Sequence, residues 1–265
     1  MPSPPCVFRH PIRALLIAVA GVLLATHGHV AQAVETPQAA QVLDRLLGFM
    51  GGEKAVYGIV TLVVSSDSER DTPLGVARVP TRIYYAFPLS VRRESTINGR
   101  MIAMASTPTD GGVMFTQSGA APLEESLRVA MEKSTMRDPV VLLKSRIGRG
   151  FTATYVGAEG GSTPADIVKI AQNENETTLV VARDDGRLVE IRYALKDDEG
   201  RNRSLVVRFD AWTRHPSGLV YPYRVRGFEQ GQQVLEARVR DVQVNVPLAE
   251  TLFSAGIGPA RDGRR

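Results

Sequence analysis

Hydrophobic and polar positions change period twice along this chain. Between Thr36 and Gly52 the apolar residues Ala39, Val42, Leu43, Leu46, Leu47 and Met50 recur at helical spacing. Thr36-Pro37 supplies a capping hydroxyl followed by a proline at the first helical position, and Gly51-Gly52 supplies a stop. The spacing predicts one amphipathic helix of about four turns, with a stripe wide enough to pack on a sheet.

From Ala55 the period shortens to two. Residues 55–65 are rich in Val, Ile, Tyr and Thr, and further strands are predicted over 81–87, 89–97, 100–106 and 113–117. Asn98-Gly99 between two alternating segments is a strong hairpin signal, so 89–97 and 100–106 should pair antiparallel. A helical interlude follows. Leu123, Leu127, Ala130 and Met131 form one stripe, and Asp138-Pro139 opens a second short helix through Leu143 to Ile147.

After Gly150 the strand pattern returns over 151–157, 165–172, 177–183, 187–195, 203–213, 219–228 and 233–246. The links include Asp184-Asp185-Gly186 and Gln230-Gly231, too short for anything but antiparallel neighbours. Val189, Ile191, Tyr193 and Leu195 alternate with Glu190 and Arg192, so one face is apolar and the other charged. In the last strand the apolar set Leu235, Ala237, Val239 shifts by one to Val242, Val244, Val246. That slip predicts a bulge near Arg240-Asp241. About a dozen strands in one sequential meander should curl rather than stay flat. Residues 247–253 read as a short closing helix that tucks Leu252 and Phe253 against the sheet.

The N-terminus carries a different signal. Arg9, His10 and Arg13 precede the apolar run 14–25, and Ala31-Gln32-Ala33 fits a signal-peptidase site with cleavage after Ala33. The run is shorter than the roughly 20 residues a spanning helix needs. Cys6 precedes it, so it is not positioned as the lipidated cysteine of a lipoprotein. The expected divisions are therefore a cleaved signal peptide over 1–33, one domain over 34–254 and a disordered tail over 255–265. The expected location is the periplasm.

Composition then narrows the chemistry. The formal net charge is +4, of which Arg9 and Arg13 supply two, too little to argue for nucleic acid. Cys6, His10, His27 and His29 all lie in the signal segment, leaving His215 as the one histidine beyond it. Thiol catalysis and multi-histidine metal sites need residues the mature chain lacks. His215 sits in a turn sequence, and no nucleophile elbow, zinc-protease motif or phosphate-binding loop occurs. The expectation is a protein that is not an enzyme, with no cofactor and no metal.

What remains is the apolar, aromatic face of the sheet. The bulky or adaptable side chains that could line a cavity under the helices are Tyr84, Tyr85, Phe87, Met101, Met104, Phe115, Leu127, Met131, Trp212, Tyr221 and Tyr223.

The order of elements, together with the first helix ending Met50-Gly51-Gly52-Glu53 and the run Gly218-Leu219-Val220-Tyr221-Pro222-Tyr223-Arg224-Val225, resembles the LolA/LolB-like superfamily. The run continues through Gln230-Gly231-Gln232, Glu236-Ala237-Arg238-Val239 and Asn245-Val246-Pro247 to Leu252-Phe253. This ending is similar to the closing hairpin of periplasmic outer-membrane lipoprotein-sorting proteins. The resemblance implies an α+β fold, a single curled antiparallel sheet of about 11 strands. This would be an incomplete β-barrel, with an N-terminal helix and mid-chain helices covering its concave face. It also implies a lipoprotein carrier-like function: a non-enzymatic carrier or chaperone binding a lipid, lipoprotein acyl chain or other amphiphile. The alternative on the same fold is an interaction or sensor module with a filled core, whose partner is an envelope protein.

Overall fold

The computed structural model describes residues 34–72, 75–108, 111–172, 175–196 and 202–254, with side chains given for all but 70–72 and 196. The signal segment and the C-terminal tail lie outside these residues.

A two-residue strand β1 (Val34–Glu35) leads into helix α1 (Pro37–Phe49). The Thr36 Oγ1 accepts from the Ala39 N–H at 3.4 Å and Pro37 fills the first helical position, so the predicted start is the observed one. Ala39, Val42, Leu43, Leu46 and Leu47 are buried, which is the predicted stripe. Gly51 and Gly52 do more than stop the helix. Both take positive φ, and the chain turns and restarts as helix α2 (Gly52–Tyr57) where a strand was expected from Ala55.

The first meander then runs β2 (Thr61–Thr72), β3 (Gly75–Ala86), β4 (Ser90–Ile97), β5 (Arg100–Thr107), β6 (Gly111–Thr116) and β7 (Gly119–Pro122). Helices α3 (Glu125–Thr135) and α4 (Pro139–Ser145) separate it from a second meander. The second meander comprises β8 (Phe151–Glu159), β9 (Ala165–Gln172), β10 (Asn175–Ala182), β11 (Leu188–Lys196), β12 (Asn202–Arg214), β13 (Val220–Glu229) and β14 (Gln232–Val244). A 3-10 turn, Glu250–Phe253, closes the described chain.

Among the described residues fourteen strands form one curled sheet in the order β1-β8-β9-β10-β11-β12-β13-β14-β2-β3-β4-β5-β6-β7. This corrects the expected count of about 11 and the expected single sequential meander. Two meanders are joined where β14 pairs with β2, from Leu235↔Arg70 to Val244↔Leu62. The edge strand β1 pairs with β8 in parallel, whereas only antiparallel neighbours were expected. The edges β1 and β7 lie at opposite ends of the order, so the sheet stays unclosed. The predicted bulge is present: the β14–β2 register shifts between Val239 and Asp241.

Helices α1 to α4 cover one face. Arg146, just after α4, grips Glu35 with two hydrogen bonds of 2.7 and 2.8 Å and reaches Asp44 of α1 at 2.6 Å. Lys144 of α4 donates to the carbonyls of Tyr57 and Ile59 at 3.0 and 2.8 Å. These bonds tie α4 to β1, to α1 and to the α2–β2 link, and Leu46, Met50, Val56 and Leu143 from the helices fill the space beneath together with Leu219.

The opposite face is covered in one place by the C-terminal segment, where Leu252 and Phe253 pack on Val63 and Tyr84. Beneath them Arg92 is fully buried. Its Nε donates to Glu94 at 2.8 Å, its Nη1 donates to the Leu252 carbonyl at 3.0 Å, and its guanidinium lies 4.5 Å from the Phe115 ring centre. The rest of that face carries cross-strand charge. Register places Glu190, Arg208, Arg226, Glu236, Glu69 and Arg78 in one row across six strands.

Candidate functional site

The fill under the helices is not continuous. Between the α3–α4 joint and strands β2, β3 and β11–β14 lies a cavity of about 230 Å³. Its sheet wall is mostly apolar, with Val64 and Ile83 from the first meander, Val207, Phe209 and Val225 from the second, and Ala237 and Val239 from β14, and Ser66, Ser68, Thr81 and Arg93 add polar groups to it. Register aligns Phe209, Val225, Ala237 and Ser68 across four adjacent strands, so a single side-chain row makes much of this wall. Ala237 and Ser68 are small beside Phe209 and Val225 in this row, and that difference leaves space. The helix wall is Ser134, Arg137, Asp138 and Pro139.

Asp138 does two jobs there. Its carboxylate caps α4, accepting from the Val140 and Val141 N–H groups at 2.9 and 3.4 Å. It also receives the hydroxyl of Tyr221 at 2.5 Å and that of Tyr85 from the other side of the cavity. Burial pushes the Asp138 carboxyl above its ordinary range, against the pull of these donors. Both tyrosines are themselves buried, and desolvation foremost, then the facing carboxylate, raises their hydroxyls well above the ordinary value.

A second cleft of about 420 Å³ adjoins this cavity and shares Arg137 and Tyr193 with it. Its lining is polar, with Lys133, Asn175, Thr177 and Ser204 among the contributors. The Arg137 guanidinium stacks on the Tyr193 ring at 3.7 Å from its centre. Burial lowers the pKa of Arg137 from its ordinary value.

The residues singled out from the sequence are distributed unevenly about this space. Tyr85 and Tyr221 line the cavity. Phe87 stacks on Tyr85 with ring centres 6.4 Å apart, and Met104 and Tyr223 pack against the same core. Met131 is buried in that core, while Leu127 on the same helix is 42% exposed. Trp212 meets Phe49 of α1 edge-on at 5.2 Å, on the filled side. Ala211, with φ +52°, precedes it, and Phe209 and Trp212 both pack against the helix-covered core. Tyr84, Met101 and Phe115 lie on the opposite face: Tyr84 under Phe253, Phe115 with Ala103 and Ala105, and Met101 in a polar groove with Arg82 and Arg240. His215 is in an exposed turn, its Nδ1 accepting from the Ser217 N–H at 3.1 Å.

Sequence reasoning missed the polar half of the site. Asp138 was legible as a cap, but its two tyrosine partners come from β3 and β13. Arg93 sits between Arg92 and Glu94, and Arg137 between Met136 and Asp138, so nothing local marks either as cavity-lining.

No family model matches the chain, and no curated protein matches its sequence. Solved structures do match in shape. A DUF1329 family protein from Desulfovibrio piger ATCC 29098 superposes with a TM-score of 0.56 at 12% identity, covering 83% of this chain and 98% of that one. A domain described as an outer membrane lipoprotein-sorting protein from Vibrio parahaemolyticus gives 0.51 at 8% identity, covering 81% and 97%. A LolA superfamily protein from Nitrosomonas europaea gives 0.44 at 11%, covering 82% and 97%. At these identities the likeness is one of architecture: this chain shares the fold of the DUF1329 and lipoprotein-sorting structures.

Proposed function

We propose that this protein is a periplasmic, non-enzymatic carrier or chaperone that buries the acyl chain of a lipid, lipoprotein or other amphiphile beneath the α3–α4 joint. The observation that carries this reading is the set of apolar side chains Val64, Ile83, Val207, Phe209, Val225, Ala237 and Val239 around unfilled space beneath the helices. An apolar void has no favourable use in a folded chain, since its lining forfeits dispersion contacts. An alkyl chain entering it restores them and leaves water, at about 0.8 kcal/mol for each methylene buried. The likeness to a lipoprotein-sorting domain supports the same reading at the level of fold, and the export signal in residues 1–33 supports the location.

Release would follow from parting the wall contributed by Ser134, Arg137, Asp138 and Pro139, which belongs to the end of α3, the start of α4 and the link between them rather than to the sheet. The test is saturable binding of a fluorescent fatty-acid probe to the purified 34–265 chain, with native mass spectrometry of protein taken directly from the periplasm. Stoichiometric probe binding and a co-purifying amphiphile are expected. A protein that emerges empty and binds no probe at any concentration would sink the proposal and favour an envelope protein partner.

A further inference from the structure

One charged side chain stands at the boundary between the apolar cavity and the polar cleft. Arg137 lines both spaces, and its Nε is buried with no hydrogen-bond acceptor. Among the described residues no carboxylate forms an ion pair with Arg137 or with Lys133, which lines the same cleft. The neighbouring ions are already committed: Arg192 pairs with Glu159 and Glu190, and Glu176 pairs with Lys169. The cavity's own carboxylate, Asp138, has its oxygens occupied by Tyr221, Tyr85 and the first N–H groups of α4.

A guanidinium carries five N–H donors and is never neutral in a protein. Leaving one of those donors buried without an acceptor is costly, and most such groups in folded proteins have a partner that explains them. Stacking on Tyr193 fixes the plane of the Arg137 guanidinium but satisfies none of its N–H groups. Its two Nη groups, which are not sealed off as the Nε is, also make no hydrogen bond among the described residues, and an anion at the boundary would meet them with the two parallel bonds a planar guanidinium offers a carboxylate or phosphate.

Resting on the carrier reading above, we propose that Arg137, with Lys133 beside it, is the head-group subsite for an acidic amphiphile. The alkyl chain occupies the apolar cavity, and the carboxylate or phosphate sits at the α3–α4 joint. The ligand class is then narrower than lipid in general: a single site reads both the chain and the negative charge, and neutral amphiphiles of equal length bind less well.

The experiment compares decanoate, decyl phosphate and decanol, each below its micellar concentration, by isothermal titration against the 34–265 chain. Both anions are expected to bind about tenfold or more tightly than the alcohol, in keeping with charge-assisted hydrogen bonds to a half-buried cation. Arg137→Gln should bring the anions down to the alcohol's affinity while the alcohol is unaffected, and Arg137→Lys should keep part of the preference. A stronger preference for decyl phosphate would assign the site to a phospholipid-type head, and one for decanoate to a free fatty acid; either supports the subsite. If decanol binds as tightly as the anions, or Arg137→Gln leaves the preference intact in a folded variant, the subsite is wrong and the carrier reading survives. If none of the three binds, the carrier reading fails and the subsite falls with it.

Discussion

At the scale of single residues, two ionisable groups show how this molecule handles charge away from water. Arg92 is fully buried and has carboxylate, carbonyl and aromatic partners. Asp138 is held by hydroxyl and N–H donors alone, without a cation in ion-pair contact, and burial raises its pKa above the ordinary 3.8. A carboxyl whose folded value exceeds its unfolded one contributes stability that is complete below pH 3.8. That contribution is lost as pH rises through the folded value. Asp138→Asn keeps an N-capping oxygen and cannot ionise. Its stability relative to the parent protein is therefore expected to improve between about pH 4 and about pH 8, by about 1.4 kcal/mol per pKa unit of the shift. Urea denaturation of both proteins at the two pH values checks this, and a difference that does not change with pH refutes it. Neither environment is legible locally. Arg92 sits in Val-Arg-Arg-Glu, and whether it or Arg93 is covered is decided by Leu252, which reaches it from the far end of the chain. Tyr84 and Tyr85 pose the same problem. Neighbours on a strand must face opposite sides, but only the packed structure shows which side the helices cover.

Elements were legible where chemistry is local. Thr36-Pro37 and Asp138-Pro139 start helices, Asn98-Gly99 turns a hairpin, and the slip of apolar phase marks the bulge between Val239 and Asp241. They were not legible where long-range pairing overrides composition. The outer halves of β2 and β3, Ser-Asp-Ser-Glu-Arg-Asp-Thr against Gly-Val-Ala-Arg-Val, extend as strands because they pair with each other and β2 pairs as far as Arg70 with β14 on its other side. Gly119–Pro122 is a strand solely because β6 lies beside it. The double glycine after α1 belongs to a third kind, a backbone requirement. Gly51 has φ +110°, and a Cβ there would lie 2.3 Å from the Gly218 carbonyl oxygen. Val220 N–H donates to the Met50 carbonyl at 3.0 Å in the same contact, so α1 and the start of β13 meet backbone to backbone. Gly51→Ala is expected to cost at least about 1–3 kcal/mol from the φ alone, with the clash in addition. Gly52→Ala, whose Cβ would meet nothing within 4 Å, serves as the control and should lose less. Equal losses in thermal or urea unfolding would show that the Gly218 contact contributes nothing.

The whole molecule divides its interior in two. On the side of α1, α2 and α4 the space between helices and sheet is filled by Leu43, Leu46, Met50, Leu143, Phe151 and their neighbours. Under the α3–α4 joint it is open. The division follows from topology: β14 closes against β2 and brings the end of the second meander beside the start of the first, so the cavity's apolar wall is assembled from residues 64 to 239. A wall built this way could be an accident of packing or a working surface, and the two give opposite outcomes when the void is filled. Large side chains in an adventitious void gain dispersion contacts and cost nothing in function. In a ligand site they gain the same contacts and exclude the ligand. Ala237→Phe puts a ring into the middle of the wall from a position flanked by Val225 and Ser68. Its expected effect is stability unchanged or raised, within the 1–3 kcal/mol that overpacking would otherwise cost, roughly, with fatty-acid probe affinity lowered about tenfold or more, since methylenes are displaced at about 0.8 kcal/mol each. Unfolding and probe titration on the same preparation separate the cases: a stable variant that still binds the probe as the parent does would place the alkyl chain elsewhere, and a stable variant that has lost it locates the chain against β14.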